Sequence, residues 1–266
     1  MNDLTVTIIQ ADLLWENSKK NLQHFDELLE PVMGTDLIVL PEMFTTGFSM
    51  NTKVLAETMT GNSMSWLYQT ASKKNAIVCG SLIIADKGNY YNRLIWMHPD
   101  GDYTYYDKRH LFTLGDEQKY FTAGNSKIFP ECNDWKILPL ICYDLRFPIW
   151  ARQSSPYTEM GNHPYDLLIY VANWPEKRIY AWEHLLIARA IENQSYVVGV
   201  NRVGTDGNGF YHPGHSCIID PMGEKLISVS GVECVETLKL SSEHIKKVRN
   251  GLPFLEGRDE FEIKVF

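Results

Sequence analysis

Short apolar runs rich in β-branched residues, separated by amphipathic helical patterns, constrain the fold of this chain more than any other feature. Runs of this kind are typical of strands buried on both faces. Helical patterns occupy residues 17–32, 63–75 and 178–194, between several of the runs. Because strands alternate with helices, we predict an α/β layered fold. The runs are LTVTIIQ (4–10), DLIVLPE (36–42), AIVCGSLIIA (76–85), RLIWMHPDG (93–101), WKILPLICYD (135–144), DLLIYVANW (166–174), YVVGVNRVG (196–204) and SCIIDPMG (216–223).

Two turn signals indicate that the sheet is mixed rather than purely parallel. HPDGDY (98–103) and DPMGEK (220–225) have the composition of turns that join hairpin strands. A capped helix is predicted in residues 241–254. The length of 266 residues suits one large domain, and we predict a single domain over residues 1–266.

Charge and cysteine usage exclude several classes of protein. The net charge is −8 with no compensating basic block, so we expect no nucleic-acid partner. The five cysteines are widely spaced and form no C-x-x-C pair, which indicates a reducing compartment rather than a disulfide framework. The apolar patches near the N-terminus are too short for a signal peptide or a membrane span. We therefore expect a cytoplasmic protein without a membrane partner.

Three strand-like runs end in a reactive or charged group. TDLIVLPE (35–42) ends at Glu42, DYTYYDK (102–108) at Lys108 and WKILPLIC (135–142) at Cys142. In α/β sheets, ligands bind beyond the carboxyl ends of the strands. If the three strands are neighbours, the carboxylate, the ammonium and the thiol meet in one crevice. Such a set can perform acyl transfer, with the thiol as nucleophile, the carboxylate as base and the ammonium at the oxyanion.

Each group also has a structural interpretation. Cys142 can be a small packing residue at the end of an apolar strand. Glu42 after a proline can be a solvated turn residue, and Lys108 can be a surface charge. The residues alone leave these alternatives open, because the adjacency of the strands is assumed.

Three motifs in chain order resemble the nitrilase, or carbon–nitrogen hydrolase, superfamily. They are LPEMFTTGF (40–48), YYDKRHLF (105–112) and ICYDLRFP (141–148), and the resemblance extends over nearly the whole chain. The resemblance implies that Glu42 is the general base, Lys108 the oxyanion-stabilising lysine and Cys142 the nucleophile. It also implies that Glu117, in GDEQKYFTAG (115–124), positions the substrate and keeps Lys108 charged. The implied fold is a four-layer α-β-β-α sandwich of two six-stranded sheets, without a cofactor or a metal.

Residues 171–209 resemble a narrower group, the bacterial YafV-type branch related to the ω-amidases. The resemblance implies hydrolysis of the terminal amide of 2-oxoglutaramate or its succinamate counterpart, a small-molecule amide, to a 2-oxo diacid and ammonia. Arg146 and Arg178 are candidates for binding the substrate carboxylate, because guanidinium forms a planar fork. Arg146 can instead pair with Asp144, and Arg178 can cap or pair within the following helix. The full set of predicted substrate-binding residues is Phe112, Tyr143, Arg146, Asn173, Trp174 and Arg178.

Other functions fit the same motifs. An amidase for deaminated glutathione, or another small-amide or nitrile hydrolase, shares the triad and differs only in its pocket. A non-catalytic α/β binding protein requires Cys142 to be buried and inert.

The resemblance also implies a homodimer, with residues 147–160 and 256–266 as candidates for its interface.

Overall fold

The computed structural model describes residues 1–153 and 164–264. The α-helices are α1 (Ser18–Leu29), α2 (Thr52–Leu55), α3 (Asn62–Lys74), α4 (Pro148–Ala151), α5 (Ile179–Asn193) and α6 (Ser242–Gly251). The strands are β1 (Leu4–Gln10), β2 (Leu37–Val39), β3 (Ile77–Asp86), β4 (Asn89–Met97), β5 (Tyr103–Asp107), β6 (Glu131–Cys132), β7 (Trp135–Ile141), β8 (Leu167–Ala172), β9 (Tyr196–Asn201), β10 (Val203–Thr205), β11 (Tyr211–Ile219), β12 (Lys225–Ser230) and β13 (Cys234–Leu240).

The strands form two mixed sheets. The first has the order β13-β1-β2-β3-β4-β5, in which β1, β2 and β3 are parallel. The second has the order β10-β11-β9-β8-β7-β6, with β12 also paired to β11, and its β7, β8 and β9 are parallel. The two predicted turns join β4 to β5 and β11 to β12, and both pairs are antiparallel as expected.

Helices cover the outer faces of the two sheets, and this gives the predicted four-layer sandwich. On the first sheet, Phe25 of α1 and Leu67 of α3 pack in one core with residues of β1 to β4. On the second sheet, Trp182 and Leu186 of α5 pack on β9 and β11. The inner faces meet each other, and Val6 of β1 shares a core with residues of β7 to β9. The continuous apolar runs are thus explained, since the central strands are covered on both faces.

Among the described residues, the second sheet has seven strands instead of the expected six. The difference lies in short peripheral strands, of which β6 has only two residues and no apolar run to mark it. Within the described residues, no helix is both long and apolar enough to cross a bilayer. Residues 154–160 of one candidate interface segment and 265–266 of the other lie outside the described residues.

Candidate active site

The three predicted reactive groups meet, but the strands that carry them are not neighbours. Glu42 follows β2 and Lys108 follows β5, and β3 and β4 lie between these two strands in the first sheet. Cys142 follows β7 in the second sheet. The expected adjacency of strands is therefore wrong. The groups meet because the two sheets face each other and all three segments reach the same end of the groove between them.

A fully buried charge cluster forms the floor of this groove. The Lys108 ammonium lies 2.8 Å from Glu42 Oε1 and 2.9 Å from Glu117 Oε2. The side chains of all three residues are completely shielded from solvent. Buried carboxylates need donors, and Glu42 Oε2 accepts the backbone N–H of Asn173 at 2.9 Å. Glu117 Oε2 similarly accepts the backbone N–H of Phe112 at 2.6 Å.

The cluster fixes the charge on the lysine. Burial opposes the charge of Lys108, but Glu117 and Glu42 outweigh burial and raise the pKa of the ammonium above its ordinary value. Burial likewise raises the pKa of Glu117, against the effect of Lys108. Two of the three ammonium donors bind carboxylates, so the third is free to bind an oxyanion, and Lys108 also lines the cavity above the cluster.

A glycine permits the close packing that holds the lysine segment. Gly124 N donates to Lys108 O at 2.9 Å. A Cβ at residue 124 would lie 2.1 Å from Asp107 O, far inside contact distance. Only glycine allows the chain to approach the end of β5 this closely.

Cys142 sits at a tight turn between a strand and a helical segment. It follows β7 directly and begins the 3₁₀ turn Cys142–Arg146. Its φ is 42°, a left-handed value that is costly for a residue with a side chain. The turn carries the thiol to the wall of the cavity while leaving the residue 9% exposed.

The thiol is neutral at rest and lies beside a base. Burial, and then the Glu42 carboxylate, raise the pKa of Cys142 well above the ordinary value for a thiol. A hydrogen bond from the Asn173 backbone and the charge of Lys108 act in the opposite direction. Because the resting thiol holds its proton, attack on a carbonyl requires a proton acceptor, and Glu42 is the neighbouring carboxylate.

Asp144 ties the turn that carries Cys142 to the segment that carries Lys108. Its fully buried Oδ2 accepts Ile141 N at 3.0 Å and the Tyr106 hydroxyl at 2.8 Å. Its Oδ1 accepts the backbone N–H of His110 at 3.0 Å and lies 2.8 Å from His110 Nδ1. Since Tyr106 and His110 lie on either side of Lys108 in sequence, one carboxylate aligns the two segments across the sheets.

A cavity of about 170 Å³ opens over Cys142 and Lys108. All six predicted substrate-binding residues line it, whereas Glu42 and Glu117 lie behind Lys108. The volume lies below the range typical of pockets for drug-sized ligands, so the cavity suits a small substrate. The predicted residues on its wall are Phe112, Tyr143, Arg146, Asn173, Trp174 and Arg178.

Two arginines, Arg146 and Arg178, line this cavity. Arg146 Cζ lies 5.0 Å from the centre of the Trp174 ring, and Arg178 Cζ lies 5.0 Å from that of Phe112. Among the residues that the structure describes, neither guanidinium has an ion-pair partner. Asp144 binds other donors, so the alternative pairing of Arg146 is excluded.

Arg178 occupies the N-cap position of α5, but its side chain makes no capping hydrogen bond and pairs with neither helix glutamate. Glu183 pairs with Lys225, and Glu192 pairs with Arg189. Burial, and then Arg146, lower the pKa of Arg178, which indicates that the two cations share the cavity. An incoming carboxylate would relieve this repulsion.

Two parts of the site were missed at the level of sequence. Asn92 on β4 contacts both buried carboxylates. The apolar run in the sequence starts only at residue 93, so the polar first half of β4, with Asn92, carries no hydrophobic signal. The segment joining β10 to β11 and the start of β11 also line the cavity, through Asp206, Asn208 and Phe210 of the segment and His212 of the strand. The glycine-rich sequence of the segment indicates only a loop, and no local signal places it beside β7.

Comparison with known proteins assigns the family. The family model described as carbon-nitrogen hydrolase matches residues 5–248. The chain belongs to the carbon-nitrogen hydrolase family. It is thus a hydrolase of carbon–nitrogen bonds, in agreement with the three motifs.

Two relatives are similar to this family member over nearly their whole length. "Omega-amidase YafV" of Escherichia coli (strain K12) is 40% identical over 264 residues, which cover 99% of this chain and 100% of the relative. "2-oxoglutaramate amidase" of Bacillus subtilis (strain 168) is 34% identical over 256 residues, which cover 95% and 96% of the two chains.

A solved member of the family has nearly the same backbone. XC1258 from Xanthomonas campestris, described as a CN-hydrolase superfamily protein with an arsenic adduct in the active site, superposes with a TM-score of 0.97. It is 39% identical, and the superposition covers 99% of this chain and 100% of that chain. The predicted nitrilase-superfamily sandwich is therefore confirmed.

Proposed function

We propose that the chain is an ω-amidase that hydrolyses the terminal amide of small 2-oxo acid amides, of the 2-oxoglutaramate and 2-oxosuccinamate type, to the diacid and ammonia. The observation that carries this proposal is the arrangement of the cavity. A thiol and a buried Glu–Lys pair lie at its floor, and its wall carries two guanidiniums that have no ion-pair partner among the described residues. The 40% identity to an ω-amidase and the 34% identity to a 2-oxoglutaramate amidase support the same substrate class.

In the first half of the proposed reaction, Glu42 accepts the thiol proton as Cys142 Sγ attacks the amide carbon. The oxyanion is stabilised by Lys108 and by a backbone N–H that follows the cysteine. The intermediate then collapses, its carbon–nitrogen bond breaks, and the proton held by Glu42 passes to the leaving nitrogen. Ammonia departs and a thioester to Cys142 remains.

In the second half, Glu42 accepts a proton from a water molecule as its oxygen attacks the thioester carbon. Lys108 again faces the oxyanion, and Glu117 keeps Lys108 charged. Collapse of this intermediate breaks the carbon–sulfur bond, the proton returns to the sulfur, and the free diacid leaves. The enzyme is regenerated without a cofactor or a metal.

The cavity wall provides the basis for selecting the substrate. Arg146 and Arg178 bind the carboxylate at the far end of the substrate, and Trp174 and Phe112 support the guanidiniums. Tyr143 and Asn173 border the thiol. A cavity of about 170 Å³ favours a five-carbon amide over the much larger deaminated glutathione.

The test is ammonia release from purified protein that is offered 2-oxoglutaramate, deaminated glutathione, glutamine and a simple nitrile. We expect strong turnover of 2-oxoglutaramate and none by Cys142→Ala. Preferred turnover of another compound would retain the thiol mechanism and reject the substrate. No turnover, together with a Cys142 inert to iodoacetamide, would favour the non-catalytic binding protein.

A cytoplasmic homodimer built from a single domain over residues 1–266 completes the proposal. Exposed apolar side chains such as Tyr180 (73% exposed) and Ile149 (53% exposed) support an interface with a second copy. Light scattering coupled to size exclusion measures the mass in solution, and a monomer mass would reject the dimer.

A further inference from the structure

Asn92 is a fully buried polar side chain at the centre of the charge cluster, and no step of the proposed reaction uses it. Its Nδ2 lies 2.8 Å from Glu42 Oε1 and 3.1 Å from Glu117 Oε1. Asn92 is 0% exposed and does not line the cavity, so it does not contact substrate.

The two carboxylates have matching sets of donors. Each accepts one backbone N–H at Oε2, from Asn173 for Glu42 and from Phe112 for Glu117. Each accepts at Oε1 from Lys108 Nζ and from Asn92 Nδ2. Asn92 and Lys108 are therefore the two shared donors that fix one carboxylate relative to the other.

The strand register delivers both shared donors together. In the β4–β5 pair, Arg93 is opposite Asp107, so Asn92 is opposite Lys108. Lys108 N donates to Asn92 O at 3.0 Å, which fixes this pairing. Side chains of directly opposed residues lie on the same face of a sheet, and both therefore reach the same pair of carboxylates.

The chemistry of an amide suits this position. The site holds two buried carboxylates and one ammonium, so the carboxylates need further hydrogen-bond donors in place of water. A second lysine would neutralise the base, and a further carboxylate would repel it. An amide N–H donates without changing the charge.

We propose that Asn92 is a positioning residue that holds Glu42 and Glu117 on either side of Lys108 and so keeps the base Glu42 in place beside Cys142. This inference rests on the proposed function for the role of Glu42. The groups that face Glu42 and act on its charge are Asn92 on β4, Lys108 after β5, Glu117 in the following turn and Cys142 after β7.

The test compares Asn92→Leu with the wild type. Leucine is close in shape but has no donor, so each carboxylate loses one hydrogen bond, and hydrogen bonds to a carboxylate favour its charged form. We expect the acid limb of the pH profile for iodoacetamide alkylation of Cys142 to move upward by about one pH unit. With 2-oxoglutaramate, kcat at neutral pH falls about tenfold or more, while KM changes less than about twofold.

A second variant and a matched control separate positioning from folding. Asn92→Ser keeps a hydroxyl that is too short to reach both carboxylates, and we expect it to shift the acid limb in the same direction. Asn193→Leu removes another fully buried asparagine, whose Nδ2 donates to Arg189 O and which has no hydrogen bond to Glu42, Lys108 or Glu117 among the described residues. It should lower stability and leave the acid limb unchanged.

The two readouts distinguish failure of this inference from failure of the proposed function. Alkylation needs no substrate, so a shifted limb without turnover of 2-oxoglutaramate supports the role of Asn92 and rejects the substrate. Turnover of 2-oxoglutaramate with folded Asn92→Leu and Asn92→Ser proteins that keep the wild-type alkylation profile overturns the inference.

Discussion

The two sheets contribute different kinds of group to the same groove. The first sheet supplies Glu42, Lys108 and Asn92, which are fully buried and bound to one another. The second sheet supplies Cys142 and Asn173, which line the open cavity. In the proposed reaction, the closed cluster activates the nucleophile and the open wall contacts the substrate. Neither sheet forms the site by itself, so the groove depends on how accurately the sheets are aligned.

The largest expected effect tests the closed cluster of the first sheet. Glu42→Gln keeps the shape of the side chain but removes the proton acceptor, so we expect kcat to fall by roughly 10²- to 10⁴-fold. Alkylation of Cys142 should slow in parallel, because the thiol loses its base. Steady-state kinetics and iodoacetamide labelling measure the two effects.

The matched control is Glu57→Gln. Glu57 accepts the backbone N–H of Ser63 at 2.8 Å and has no contact with the cluster. Its substitution should leave kcat unchanged. A Glu42→Gln enzyme with wild-type kcat would contradict the proposal that the buried cluster of the first sheet activates the thiol.

The next prediction concerns a neutral group on the wall of the second sheet. Burial, and then Arg202, lower the pKa of His212 to about 4, from an ordinary value of 6.5. Below pH 6.5 the unfolded chain binds a proton that the folded protein does not bind, so stability is present above this pH and is lost as pH falls toward 4. We expect the free energy of unfolding to fall by about 2 kcal/mol between about pH 7.5 and about pH 5 from this group.

Urea unfolding at the two pH values measures this loss. His212→Asn should remove most of it, because asparagine does not titrate. His184→Asn, at an exposed position on α5, should leave the loss intact. Equal pH dependence in His212→Asn and the wild type would contradict the assignment.

The third prediction concerns Asp144, the carboxylate whose hydrogen bonds link the two sheets. Asp144→Asn replaces a carboxylate that accepts four hydrogen bonds, from Tyr106, His110 and Ile141, with an amide that has one acceptor oxygen. We expect a loss of about 2 kcal/mol in the free energy of unfolding. We also expect a lower kcat, because Cys142 and Lys108 are no longer held in register.

The control for alignment is Asp166→Asn. Asp166 binds Arg249 at 2.6 Å within the layers of the second sheet and α6, without reaching the first sheet. It should lose stability but keep kcat. If both aspartate variants lower kcat equally, the bond across the sheets has no special role.

A smaller effect is expected at the open wall. Arg146→Gln removes one cation from the cavity, and we expect KM for 2-oxoglutaramate to rise about tenfold with little change in kcat. Arg258→Gln, whose guanidinium binds Leu255 O away from the cavity, should leave KM unchanged. A fall in kcat without a rise in KM would assign Arg146 to the chemical step instead of substrate binding.

The smallest effect concerns a second thiol in the same sheet. Cys217 on β11 is 2% exposed, and burial raises its pKa to about 12. Cys217→Ala should leave kcat within about twofold of the wild type and lower stability by about 1 kcal/mol. Mass spectrometry should find rapid alkylation at Cys142 alone in both proteins. Rapid alkylation of Cys217 would mean that position in the fold does not decide thiol reactivity here.

The order of the chemistry along the chain was predictable from sequence. The motifs around Glu42, Lys108 and Cys142 indicate the family, and the family model confirms it. The apolar runs and helical patterns predict most of the strands and helices, because burial on both faces produces continuous β-branched segments. Arg146 and Arg178 were predicted to bind the substrate carboxylate because guanidinium forms a planar fork; the structure places both on the cavity wall, and their role stays a prediction.

The tertiary structure alone decided which side chains surround these groups. Asn92 lies opposite Lys108 only through the register of β4 and β5, and it precedes the apolar part of its strand. His212 reaches the cavity because β11 lies beside β9 in the second sheet. Sequence periodicity reports which face of an element is buried, whereas contact between elements depends on packing across long separations in the chain. Local sequence therefore identified the reactive side chains, and the packing of the two sheets brought them into contact.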